Sequence, residues 1–327
     1  MPGDDITPGY KSNRKKAENV NWDNIFKSAD DLQEILSKNS MHVAKVQHCE
    51  ADDIAAMCKE LVFEKYTDYN IIIVSADGDI RQLIDFNPVT KQYCLVYNTT
   101  SKGRGKSAKR FMYVTEEFYN WYNLQDTSNF DIFFENVDLS KQYIKDILNA
   151  NPVIDLCVEN PNNVVLNKIF CGDDGDCVPS LYSWYKDGKK VRITPSKEKK
   201  IRELIGINNV SDLVKGKSLL KPVLEKVCKK EIDDIDVETR VDMQRVLVEL
   251  NSSLFPDYIK DYKSTLSDML EDIPSNGFWN IKATQLLAGT EYEGYDKKKV
   301  LEAEVFKDME KYINPNNNTV NVNALFT

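Results

Sequence analysis

The stretch Asn70–Asp79, NIIIVSADGD, limits the possible folds more than any other part of the chain. Ile71–Val74 is an unbroken run of large aliphatic residues, so a strand built on it has no side to offer water and is buried on both faces. The run then dissolves into Ser75, Ala76 and the triplet Asp77-Gly78-Asp79. A strand covered on both faces needs helices to cover it, and the neighbouring patterns supply them. Residues 51–66 place Ile54, Met57, Cys58, Leu61 and Val62 on one helical face, and residues 21–40 do the same with Ile25, Phe26, Leu32, Ile35 and Leu36. Met41–Val46 reads as a short strand, Ile80–Phe86 as a short helix and Tyr93–Tyr97 as the next strand. Strand and helix in alternation predict an α/β fold with a mainly parallel sheet. Such sheets collect their chemistry at strand C-termini, where Asp77 and Asp79 stand.

The remainder is less regular. Tyr10–Lys16, YKSNRKK, is a basic run, and Thr99–Arg110 is a basic, glycine-containing loop. Residues 111–165 show weak periodicity, residues 164–312 read as helical, and the asparagine-rich tail from Asn314 is expected to be disordered up to its last residues. No apolar window approaches the roughly 18 residues of a membrane span, and no cleavable leader is evident. Seven cysteines, an odd number without a CxxC pair, argue against a disulfide framework and a zinc ribbon, and suit a reducing cytoplasm. The net charge is −9, from 52 acidic and 43 basic residues. A nucleic-acid binder is usually basic, so the total does not point to one. The distribution matters more, because carboxylates that hold cations add acidity without repelling phosphate.

Three acidic clusters stand out: Glu50, Asp52 and Asp53 at a helix start; Asp77 and Asp79 at the strand end; and Asp173 and Asp176 in GDDGD. Hydrolysis of a phosphodiester needs an activated water and stabilisation of charge on the leaving oxygen, which divalent ions supply together. Such hard ions take carboxylate oxygens. With only His42 and His48 in the chain, histidine-based hydrolysis is poorly supplied. Each cluster alone has an ordinary explanation, since aspartate caps helices and Asp-Gly marks turns. Their order and setting give the combination its weight.

EADD, an apolar strand into DGD, then KIFCGDDGDCVPS (Lys168–Ser180) resembles the 5′-nuclease family. That family includes flap endonucleases, the 5′ nuclease domain of bacterial DNA polymerase I and the ribonuclease H of T-even phages, the last being the nearest likeness. YKSNRKK, with Trp22 and a helix before EADD, resembles the basic arch. Arg192–Leu204 resembles the end of the helix–three-turn–helix region, and Arg245–Ile259 a late helix of the phage enzymes. The likeness runs from Tyr10 to Ile259. It departs from the family at Cys177, where an Asn is usual, and at the start. There the family's apolar strands with two Asp ligands are not found, and only Asp4 and Asp5 stand in a polar stretch. A shortened start, a separate N-terminal fragment as in a split nuclease, or a non-catalytic descendant would each account for this.

The resemblance implies a PIN-like nuclease domain over residues 1–177 with an arch remnant at 10–20. It also implies a helical DNA-binding domain over 178–312 and a flexible tail over 313–327. Two Mg²⁺ or Mn²⁺ ions are implied. Glu50, Asp52 and Asp53 would serve the ion nearer the attack, Asp77 and Asp79 would lie between or beside the ions, and Asp173 and Asp176 would hold the second. Lys11, Arg14 or Lys15 would contact the scissile phosphate. Lys186, Lys189, Lys190, Arg192, Lys197, Lys199, Lys200 and Arg202 follow GDxxD and are candidates for phosphate contact. So are the five basic residues of Lys102–Arg110.

The terminal NALFT resembles the peptides that dock on sliding clamps. The implied activity is 5′-3′ exonuclease, flap endonuclease and ribonuclease H cleavage of branched DNA and RNA–DNA hybrids. Its implied setting is primer removal in phage replication, in the cytoplasm of an infected bacterium and away from membranes. The rival reading is a structure-specific DNA-binding subunit without catalysis. A carboxylate-rich phosphatase is disfavoured by the arch-like run and the basic region.

Overall fold

Ile71–Ser75 forms strand β1, as its apolar run predicts. The computed structural model describes residues 20–38, 42–46, 49–67, 69–100, 109–123, 144–145, 148, 154–187, 189–232 and 236–271. These form two units, residues 21–159 with 257–271 and residues 160–256. Cys177 and Val178 therefore both lie inside the second unit.

The first unit holds the sheet. Its strands follow the order β1, β3 (Tyr93–Asn98), β4 (Arg110–Val114) and β5 (Ile154–Val158), with β2 (Asp85–Phe86) also on β3. The two long pairings are parallel: Ile71 lies opposite Cys94 in β1/β3, and Arg110 opposite Ile154 in β4/β5. Short antiparallel pairings join β3 to β4 and β2 to β3. The antiparallel step has a cause in the sequence. Parallel neighbours need a crossover of a dozen or more residues, usually a helix, whereas residues 99–109 have no helical period.

Helix α1 (Trp22–Lys38) and helix α2 (Ala51–Lys65) form where expected. Only Ile35 of α1 is buried, however, and Ile25, Phe26 and Leu32 are about half exposed. Residues 42–46 do not form the expected strand, since the short HVAKV stretch finds no strand partner. Ile80–Phe86 divides into a 3-10 turn (Asp79–Leu83) and β2. Helix α3 (Glu116–Asn123) starts at Thr115, whose hydroxyl accepts from Phe118 N at 3.1 Å. The ring of Phe118 is fully buried between Tyr93 at 5.2 Å, Trp121 at 5.5 Å and Phe86 at 5.8 Å. The last described helix of the unit, Tyr262–Glu271, docks on α2 through Lys65 to Ser267 at 2.6 Å and Lys263 to Glu64 at 3.3 Å.

The second unit opens with α4 (Pro161–Cys171), capped by Asn160, whose side chain accepts from Asn162 N at 3.0 Å. The chain then departs from the continuous helical pattern expected after residue 164. Ser183–Lys186 (β6) and Lys189–Arg192 (β7) form an antiparallel hairpin, entered through Asp187 at φ 50°. Four helices follow: α5 (Pro195–Ile205), α6 (Val210–Gly216), α7 (Leu220–Cys228) and α8 (Val237–Val248). They share one core with α4, in which Leu166, Ile169, Phe170, Leu181, Ile201 and Leu224 are fully buried. Among the described residues, no helix is long and apolar enough to cross a membrane.

Candidate metal centre and nucleic-acid surface

In the sheet unit, Glu50 caps α2 in a reciprocal box with Asp53, whose carboxylate accepts from Glu50 N at 3.2 Å. Asp52 accepts from Asp53 N at 3.1 Å. The negative charge of this start acts on the neighbouring Cys49 thiol. Burial, reinforced by Asp53, Asp52 and Glu50, pushes it up to about 12.

Asp77 follows β1 directly, accepts from Asp79 N at 3.0 Å, and donates its own N–H to Ser75 at 3.0 Å. This Asx turn places both aspartates at the strand's C-terminal end. Arg81 locks the turn: it donates to Gly78 O at 3.0 Å, pairs with Glu159 at 3.1 Å and lies over the Tyr113 ring at 5.0 Å. Within this unit, among the described residues, no three of Glu50, Asp52, Asp53, Asp77 and Asp79 bring ligand oxygens within 4.8 Å of one another.

In the second unit, the GDDGD loop is closed by mutual backbone bonds between Asp173 and Val178, at 2.9 and 2.8 Å. Gly172 makes the closure possible. At φ +78° a Cβ would stand 2.5 Å from Val178 O, so only glycine fits. The carboxylates of Asp173 and Asp176 lie with ligand oxygens within 4.8 Å of each other. Desolvation opposes ionisation of Asp173, but Lys168 at 2.5 Å and the N–H groups of Gly175 and Asp176 outweigh it and hold the carboxyl below its ordinary range. Lys168, known from the sequence only as a matched motif position, is thus the charge partner of Asp173.

Cys177, where the resemblance leads one to expect Asn, sits at φ +58° in this loop. Asn tolerates the left-handed region better than most residues, which gives a backbone reason for it there. Cys177→Asn is expected to stabilise the protein by up to about 1 kcal/mol, read as a higher midpoint in urea. A lower midpoint would mean that the thiol's packing matters more than the backbone.

The basic residues divide by role. Lys186, Lys189, Lys190, Lys199 and Lys200 are exposed, as phosphate contacts need to be. Three expected contacts are engaged inside the unit. Lys197 is half-buried over the Trp184 ring at 4.3 Å. Arg202 pairs with buried Glu198 at 2.9 Å and donates to Ile207 O at 3.1 Å. Arg192 pairs with Asp174 at 2.5 Å. At the end of the 102–110 loop, Arg110 is taken out of reach of solvent while Lys109 stays exposed. Arg110 is buried in β4, donating to the Tyr97 hydroxyl at 3.3 Å, and Lys109 pairs with Asp155 at 2.6 Å. Lys11, Arg14, Lys15, the rest of the 102–110 loop and the terminal NALFT lie outside the described residues.

Residues 4–118 match the family model described as the 5′-3′ exonuclease N-terminal resolvase-like domain. Over residues 4–118, about a third of the chain, the sequence is therefore similar to the N-terminal domain of 5′-3′ exonucleases. The matched segment carries Glu50, Asp52, Asp53, Asp77 and Asp79, and the PIN-type α/β class expected of the family is the class of the sheet unit. Among solved structures, the T5 D15 protein, co-crystallised with metal ions, is 17% identical over 81% of this chain and 79% of its own, with a TM-score of 0.45. No curated protein matches the chain.

Proposed function

We propose that the chain is a divalent-metal-dependent 5′ nuclease that hydrolyses phosphodiesters at 5′ ends and 5′ flaps and on RNA–DNA hybrids. Its biological role would be removal of RNA primers during phage replication. The observation that carries this reading is the family match over residues 4–118, which covers two of the three acidic clusters.

The donor set fits a hard cation. Asp173 and Asp176 bring carboxylate oxygens within 4.8 Å of each other, and Lys168 and backbone N–H groups keep Asp173 ionised. Mg²⁺ or Mn²⁺ held by Asp173 and Asp176, and by Glu50, Asp52, Asp53, Asp77 and Asp79 as the family resemblance implies, would activate water and offset charge on the leaving oxygen. The chain's own groups do the rest. The Asx turn at Asp77 and the loop closed by Gly172 fix the carboxylate positions, so little ordering is left for the moment of reaction. Exposed Lys186, Lys189, Lys190, Lys199 and Lys200 hold the sugar-phosphate backbone without reading sequence.

The test is cleavage of a 5′-labelled flap and an RNA–DNA hybrid by the full chain with Mg²⁺, beside Asp77→Ala. Cleavage that Asp77→Ala lacks is the expected result. Binding of both substrates with no cleavage by the wild-type chain would instead support the rival, a structure-specific binding subunit.

A further inference from the structure

The β6–β7 hairpin exposes an aromatic ring that core packing does not use. Side chains alternate across a hairpin, and here the alternation separates two faces. Trp184, opposite Val191, packs on the helical unit's core and stacks on Tyr182 at 5.4 Å. Tyr185, opposite Lys190, therefore points the other way, together with Ser183 and Arg192. Tyr185 is 72% exposed, with exposed Lys190 opposite it on the same face.

This outward face leads to the acidic loop. Arg192 reaches Asp174 at 2.5 Å, beside Asp173. Arg192 lies opposite Ser183, and Tyr185 is two residues further along the strand, a separation of about 7 Å at strand rise.

We propose that the outward face of the hairpin is a nucleotide-stacking platform beside the Asp173 loop. Tyr185 stacks on an unpaired base of a single-stranded nucleic acid, while Lys190, its cross-strand neighbour on the same face, neutralises an adjoining phosphate. The occupant is single-stranded because an open ring can be covered only by a base whose own face is free. A blunt duplex offers this surface phosphates and groove edges, which the lysines could hold without Tyr185. The proposal rests on the nuclease reading of the Asp173 loop and deepens it: the single-stranded arm of a flap is engaged by an aromatic side chain as well as by charge.

The probe is a flap carrying 2-aminopurine in its 5′ single-stranded arm, titrated with the full chain in EDTA beside a blunt duplex of the same length. Wild type and Tyr185→Phe are expected to quench the fluorophore. Tyr185→Ala is expected to lose the quench and bind the flap about tenfold more weakly, with duplex affinity within about twofold of wild type. An unchanged quench and affinity in Tyr185→Ala would overturn the platform, as would equal weakening on flap and duplex. If wild type cleaves flaps with Mg²⁺ and Tyr185→Ala matches it in every respect, the stacking role alone fails. If wild type binds neither substrate, the nuclease reading fails with it.

Discussion

Asp173→Asn and Asp176→Asn are each expected to reduce metal-dependent cleavage by at least about 100-fold, because a bound divalent ion contributes several kcal/mol to the transition state and each tenfold loss corresponds to about 1.4 kcal/mol. The substitution preserves shape and removes charge. Asn at position 173 keeps an oxygen for the bond from Gly175 N at 2.8 Å, so the loop can still close. What it gives up is the ion pair with Lys168 and the ability to bind a hard cation strongly. The kinetic constants should show the loss in kcat, with substrate binding in EDTA unchanged, since the exposed lysines that hold the backbone are untouched. A variant that cleaves within a few-fold of wild type would assign Asp173 and Asp176 to loop structure alone.

Gly172→Ala is expected to destabilise the protein by roughly 3 kcal/mol. Left-handed backbone costs a residue with a Cβ about 1–2 kcal/mol, and each lost backbone hydrogen bond about 1 kcal/mol more. The added methyl would meet Val178 O at 2.5 Å and Pro179 C at 2.6 Å. These are backbone atoms, so the Asp173–Val178 bonds must open to relieve the contact. Cleavage should fall with stability, because the same closure sets the positions of Asp173 and Asp176. Urea unfolding measures the first effect and turnover at a temperature where the variant remains folded measures the second. Wild-type stability in Gly172→Ala would show that the loop accommodates a side chain by another path.

The contrast between these elements and the hairpin explains which features could be read from the sequence. β1 was legible because four adjacent aliphatic residues have a single economical fate, and α2 because Ile54, Met57, Leu61 and Val62 recur at helical spacing. GDDGD was legible as a motif, although its backbone logic at Gly172 and Cys177 was not, since conformation there depends on closure against Val178. The hairpin was missed because four cations in residues 186–192 read as a solvated charge run. Its signal was nevertheless present in Ser-Trp-Tyr and Lys-Lys-Val flanking Asp187-Gly188. β4 was obscured for the opposite reason. Arg110–Val114 is buried on nearly every side chain, so it shows no period of two. Charge type was a poor guide to role, too. Arg110 and Arg202 look like phosphate contacts in sequence, yet one is buried against Tyr97 and the other closes a helix end.

The central claim is that these carboxylates form a cation site and are more than caps and turns. The direct measurement is Mn²⁺ binding to the full chain without nucleic acid, followed by the loss of the free-ion electron paramagnetic resonance signal. Saturable uptake by wild type, sharply reduced when Asp173 and Asp176 are both changed to Asn, is the predicted result. Equal uptake by both proteins, or none by wild type, would contradict it.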